Sequence, residues 1–265
     1  MPPTGKIMNV DRLRPKTVLS GDRATRTPEI GREAVLDAIL ADLRPGAKHD
    51  LSLARYRELA PGYDGTCSRI EGIRAAAIES LGLRGGEHVA DIACGTGATL
   101  VSLARAVGPA GRVTGVELSP DMAELARARV AMAGVAAQAR IIVGPVENLG
   151  ETETFDAFFL CYTHDVLQSS AAIAAMSAAA KPGARIVVVG ARFLPWWWGF
   201  GLNLFTAYRA RNYLTTYRGL GQPWRTLTRY APDFHVMGTD HFRTSYLGVG
   251  TFEKRIPVQS SGRHA

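Results

Sequence analysis

Cysteine is scarce: Cys67, Cys94 and Cys161 are the three in 265 residues. Their number is odd and their spacing suits neither a disulfide framework nor a metal site, so they read as reduced thiols in a cytoplasmic protein. Long apolar runs are missing too. No stretch of eighteen residues is free of both charge and proline, and the amino terminus from Met1 to Lys16 mixes Lys6, Asp11 and Arg12 without an apolar centre. Neither a transmembrane helix nor a cleaved leader is expected. Aromatic residues are rare before residue 191, which leaves fifteen of the 21 beyond it, and acids vanish altogether from Val166 to Pro232. The net charge of +7 is equally lopsided: residues 191–265 carry ten Lys or Arg against three acids, whereas residues 1–190 carry 21 of each. Two jobs thus look separately encoded, one in a neutral α/β-like stretch and one in a basic, aromatic stretch.

With 46% hydrophobic residues, the chain can bury a full core, and one α/β domain with additions fits its length. Residues 1–29 contain Pro2, Pro3, Pro15 and Pro28 among polar residues and read as a disordered arm. Residues 30–82 read as a helical cap, with helical spacing at Val35, Ile39 and Leu43, a second piece over Leu51–Leu59 and a third over Cys67–Leu81. From Glu87 strand and helix patterns alternate, which predicts parallel strands with right-handed crossovers. The strands are expected at 87–93, 112–117, 139–143, 155–161 and 184–190. Ser119-Pro120-Asp121 has the makings of a helix start, and Lys181-Pro182-Gly183 of a helix stop. Residues 194–233 form an insertion with a helix from Phe200 to Tyr217, followed by two paired strands, Phe234–His241 and Thr244–Phe252. The residues after 254 read as a flexible tail. The expected fold is a doubly wound, Rossmann-like sheet of seven strands whose last two form an antiparallel pair.

The most informative motif is Asp91-Ile92-Ala93-Cys94-Gly95-Thr96-Gly97, at the end of a strand-like run and twenty residues ahead of Glu117. Two glycines let a strand turn sharply into a helix with bare backbone against a ligand, and an acid closing the next strand can accept ribose hydroxyls. A dinucleotide site usually adds a third glycine three residues later, where this chain has Leu100. The motif resembles that of the class I S-adenosylmethionine-dependent methyltransferases, acidic-x-x-x-Gly-x-Gly after a strand. That resemblance spans about Tyr56 to Phe252 and implies S-adenosylmethionine as cofactor and S-adenosylhomocysteine as product. It implies that Asp91, Ala93, Gly95, Thr96 and Gly97 surround the methionine end, and that Glu117 and Leu118 take the ribose and flank adenine. Tyr63-Asp64 resembles a Tyr-Asp pair that closes over the cofactor; a turn after Pro61-Gly62 explains it equally well. Gly144-Pro145-Val146-Glu147 resembles the adenine loop, but Pro145 replaces the usual Asp and cannot accept a hydrogen bond through its side chain, which leaves Val146, apolar packing or Glu147. Cys161 and the loop Tyr162-Thr163-His164-Asp165 follow the fourth strand, where the family holds the cofactor's amino group.

A sulfonium methyl is already activated, so alignment and exclusion of water dominate and no metal is required. The candidate catalytic residues are His164, a possible base beside Asp165, with Tyr162 and Tyr63. Thr163, Trp196, Trp197, Phe200, Tyr208, Arg209, Tyr213 and Trp224 are candidates for the acceptor site, a lid over an apolar or aromatic small molecule with or without an anionic group. Packing of those aromatics on the sheet is the plain alternative. Competing functions are headgroup N-methylation with Trp196–Trp198 docked on a membrane, RNA binding, and a cofactor-binding protein that does not methylate. Nucleic acid is not expected as a partner; a homodimer is left open.

Overall fold

The computed structural model describes residues 48–60, 70–150, 154–240 and 242–253. The expected arm, the cap helix near Glu33–Leu43, the Tyr63-Asp64 pair, Cys67, His241 and the tail lie outside the described residues.

Seven strands form one sheet in the order β3-β2-β1-β4-β5-β7-β6. They are β1 (His88–Ile92), β2 (Arg112–Glu117), β3 (Ala139–Val143), β4 (Phe155–Cys161), β5 (Ala180–Ala191), β6 (His235–Asp240) and β7 (Ser245–Thr251). The first five pair in parallel, and β7 pairs antiparallel with both β5 and β6. The order reverses between β1 and β4, which makes the carboxyl ends of those strands the crevice where such sheets bind ligands. The helices are α1 (Lys48–Leu59), α2 (Glu71–Ser80), α3 (Leu100–Val107), α4 (Pro120–Met132), α5 (His164–Gln168), α6 (Ser170–Ala179) and α7 (Trp196–Ala210).

Side chains alternate across each strand, and both faces are covered. On one face Val89, Val113, Phe159, Val187 and Val189 pack against Ala77, Leu100, Leu103, Ala126 and Val130. On the other, Ala90, Ile92, Phe158, Leu160 and Val188 meet Ile173 and Met176 of α6 and Leu227 and Phe234 of the insertion. These are why the strands read as near-continuous apolar runs.

Three local features bear on the expectations. Ser119 caps α4, its hydroxyl accepting from the Met122 amide at 3.4 Å, with Pro120 in the first turn. Lys181-Pro182-Gly183 is not a separate helix stop: α6 ends at Ala179, Ala180 already pairs with Phe155, and the next pair is Ala157 with Arg185. Residues 181–184 therefore bulge opposite Asp156, whose two carboxylate oxygens lie 2.8 Å from Lys181 Nζ. The insertion helix starts and stops earlier than expected, at Trp196 and Ala210, because Pro195 sits at its amino-terminal boundary while Leu214, Thr215 and Thr216 are buried beneath α1 and the β4 loop.

Candidate active site

The β1 loop is built from backbone shapes that few residues tolerate. Ala93 (φ 52°), Gly95 (φ 56°) and Gly97 (φ 74°) all occupy left-handed conformations. At Gly97 a Cβ would also stand 2.9 Å from that of Ala126, so this glycine seats α4 against the loop. Thr96 is buried and receives a hydrogen bond from Arg129 Nη1 at 3.1 Å.

Two buried carboxylates flank the loop. Asp91 accepts from the Thr99 hydroxyl and is 1% exposed. Burial pushes its pKa up to about 7, with the Thr99 hydrogen bond and the Arg74 guanidinium opposing. Glu117 accepts from the Gly95 amide at 2.8 Å through Oε2 and from the Ser119 amide at 2.9 Å through Oε1. Burial raises its pKa too, while amides from Ser119, Gly95 and Leu118 pull the other way. Three amides leave part of the carboxylate's acceptor capacity unused, so it is fixed in orientation yet still able to accept from a hydroxyl. Beside the loop lies an apolar wall: Val146 is buried in a short 3-10 turn after extended Pro145, and Leu118 is half-buried. Glu147 is tied to the start of α6. Its Oε1 accepts from the Ser169 hydroxyl at 2.7 Å, at the amino end of α6, where Ser169 caps the helix by accepting from Ala172.

The loop after β4 does a different job. Tyr162 is left-handed (φ 58°) and its amide donates to Val189 O at 2.7 Å. Its hydroxyl meets Ser245 Oγ at 3.0 Å, and burial pushes its pKa up to about 12, so it remains a phenol at neutral pH. His164 is buried and its Nε2 lies 2.8 Å from Arg218 O. A carbonyl only accepts, so Nε2 carries the proton and a neutral ring holds its lone pair on Nδ1. Asp165 Oδ2 accepts from the Thr215 hydroxyl and from the Thr215 amide at 3.3 Å. Both residues thus clamp the insertion to the end of β4, as expected for neighbours on a helix that cannot face each other. Thr163 is buried and its hydroxyl has no hydrogen-bond partner among the described residues, while Cys161 is half-buried at the strand end.

Helix α1 closes over the same segment. Arg55 donates to Leu214 O, and Tyr56 donates to Tyr213 O at 3.2 Å. Asp165 and Glu117 both add to the upward push that burial gives the Tyr56 phenol, which locates it between Glu117 and the β4 loop. Neither Tyr56 nor Arg74 was singled out by sequence reasoning. Arg74 is 8% exposed on the apolar face of α2, bonded to Glu71 at 2.9 Å and close enough to Asp91 to lower its pKa. A lone cation among Ile70, Ile73 and Ala77 was the available signal.

The expected acceptor residues separate into two groups. Trp196 lines a cavity of about 430 Å³ with Arg192, Phe193, Trp198, Trp224 and Arg243. Trp224 also packs edge-on against Tyr246 at 4.7 Å, and Tyr213 contributes its carbonyl to Tyr56. By contrast Trp197, Phe200, Tyr208 and Arg209 point to solvent, Trp197 at 86% exposure. The cause is that α7 buries its small and polar residues, Gly199, Asn203 and Thr206. Asn203 holds it down, accepting from the Leu194 amide and donating to the Leu194 carbonyl, both at 2.8 Å.

Residues 89–183 match the family model for a methyltransferase domain. Ubiquinone/menaquinone biosynthesis C-methyltransferases are similar in sequence: one from Pseudomonas putida is 29% identical over 171 residues, 64% of this chain and 66% of its own length. Another, from a Marinomonas species, is 32% identical over 114 residues, 42% of this chain and 45% of its own. The match to the Pseudomonas proteins thus spans just under two thirds of their length. Among solved structures, a chain of the complex between the Trm112 methyltransferase activator and a methyltransferase of Haloferax volcanii superposes with a TM-score of 0.60, at 15% identity, over 77% of this chain and 98% of that one. A Thermotoga maritima S-adenosylmethionine-dependent O-methyltransferase gives 0.53 at 19% identity, over 70% and 66%. These likenesses share the fold, and the buried Asp91 and Glu117 frame the strand ends on which it binds ligands. Residues 89–183 thus carry a methyltransferase domain, and the chain as a whole resembles the S-adenosylmethionine-dependent methyltransferases in fold.

Proposed function

We propose that this protein methylates an apolar or aromatic small molecule with S-adenosylmethionine. The observation that carries the reading is Glu117, a buried carboxylate held by the amides of Gly95 and Ser119 at the tip of β2 with accepting capacity left over. In its neighbourhood Asp91, with Arg74 beside it, offers charges of both signs for an amino acid moiety. When bound, the cofactor supplies a sulfonium methyl: the acceptor's electron pair forms the new bond to carbon as the carbon–sulfur bond breaks, and that bond's pair stays on sulfur.

The chain's own residues bind, orient and exclude. Gly95 and Gly97 present bare backbone, Val146 and Leu118 form apolar walls, and Cys161 ends the strand between cofactor and acceptor. Thr163 places a buried hydroxyl in need of a partner at the β4 tip, suited to an oxygen of the acceptor. Tyr162, kept protonated, acts as a hydrogen-bonding group rather than a base. His164 Nδ1 is the candidate to receive the acceptor's proton where one must leave. Tyr56 and the segment 213–218 close the site from above and limit water. The sequence similarity to quinone-biosynthesis C-methyltransferases favours an electron-rich ring carbon as the nucleophile. Titration calorimetry with S-adenosylhomocysteine tests the reading: the native chain should bind and Glu117→Ala should bind about 100-fold more weakly, and absence of binding to the native chain overturns it.

A further inference from the structure

We propose that α7 is an interfacial helix that lies flat on an anionic lipid bilayer. Its polarity is inverted. Gly199, Asn203 and Thr206 face the protein, while Trp196, Trp197, Phe200, Leu204, Phe205 and Tyr208 are each at least 55% exposed save Leu204 at 51%. Scattered surface hydrophobics are normal, but one contiguous helical face of six large side chains marks an interaction surface. No charged residue interrupts the helix before Arg209.

The occupant follows from charge, shape and length. Cations bracket the apolar face at both ends: Arg209 lies over Phe205 at 5.7 Å and Arg211 over Tyr208 at 3.8 Å, while Arg192 and Arg243 line the cavity beside Trp196 and Trp198. Arg192 Nε donates to Arg243 O at 3.0 Å, and among the described residues neither guanidinium forms an ion pair. Burial, and after it the nearby Arg243 cation, lowers the Arg192 pKa, and an anion between the two guanidinium groups would relieve their repulsion. No acid lies between Val166 and Pro232 to repel a negative surface. The fifteen-residue helix is about 22 Å long, short of the roughly 30 Å hydrocarbon core, so it lies along the bilayer rather than across it. No helix among the described residues is long and apolar enough to span a membrane. Phe242, immediately before Arg243 in the β6–β7 turn, is 82% exposed. Tryptophan belongs at this depth, where its ring is apolar and its N–H is wet.

The test is co-sedimentation of the full chain with phosphatidylcholine vesicles, alone and mixed with phosphatidylglycerol. The protein should pellet with the mixed vesicles, with a blue shift of tryptophan emission and quenching by brominated lipid. Trp197→Ser with Phe205→Ser should lower partitioning at least about tenfold, since affinity scales with inserted apolar area. Arg209→Gln with Arg211→Gln should flatten its salt dependence. Binding of S-adenosylhomocysteine should persist in every variant, which separates failure here from failure of the methyltransferase reading. The proposal is overturned if the native chain stays in the supernatant with both vesicle types, or if the Trp197, Phe205 double variant pellets like the native chain. Shielding of tryptophan emission from acrylamide before vesicles are added also overturns it, because the face would then be covered by the chain itself or by a second copy.

Discussion

The β1–β4 half of the molecule and the segment from Arg192 to Tyr230 solve opposite problems. In the first, polar groups are buried and satisfied: Asp91 by Thr99, Glu117 by three amides, Thr96 by Arg129. In the second, apolar groups are exposed and polar ones serve as staples, as with Asn203 on Leu194 and Thr215 on Asp165. Rigidity in the first half defines one ligand geometry, whereas the second presents a surface. Changes in the two halves should accordingly separate cofactor binding from everything else.

The largest effect is expected from Glu117→Ala, which strands the Gly95 and Ser119 amides and removes the ribose acceptor. Affinity for S-adenosylhomocysteine should fall about 100-fold, some 2.7 kcal/mol, by calorimetry. Next comes Gly97→Val, which forces a β-branched residue into φ 74° with Ala126 at 2.9 Å. It should destabilise the fold by about 2.5 kcal/mol in urea melts. Asn203→Leu should cost about 2 kcal/mol, loosen amide exchange from Leu194 to Ala210, and leave cofactor affinity intact. A loss of cofactor binding in that variant would break the contrast between the halves.

A smaller effect should appear with pH. The folded pKa of Asp91 is raised to about 7, so folding favours its protonated form. That contribution to stability is fully present below the ordinary carboxylate range and is lost as pH rises toward 7. A cationic amino group at Asp91 demands the carboxylate, so binding should release a proton and affinity should rise several-fold from about pH 5.5 to 7. Asp91→Asn should flatten the profile. Smallest of all, Cys161→Ser at the half-buried strand end should change stability by less than about 1 kcal/mol, read by thermal melting.

All seven strands and the antiparallel final pair were legible, because a sheet covered on both faces writes itself as short apolar runs between turn residues. The Asp91 to Gly97 turn and Glu117 were legible as spacing. The clamps were not: His164 to Arg218, Asp165 to Thr215 and Tyr56 to Tyr213 join residues 54, 50 and 157 positions apart, and no local pattern encodes such pairings. Glu147 was an expected adenine contact on motif position alone, and its bond to Ser169 ahead of α6 was not legible. For α7 the aromatics were visible but their direction was not, since hydrophobic periodicity identifies a face without saying whether it looks inward.

That direction rests on a small thing. The Asn203 amide reads one peptide unit at Leu194 with both of its ends, a match that no aliphatic replacement reproduces. A single carboxamide therefore decides that half a dozen rings are offered outward instead of being swallowed by the globule, and the chain keeps its most aromatic helix on display by means of one of its most hydrophilic side chains.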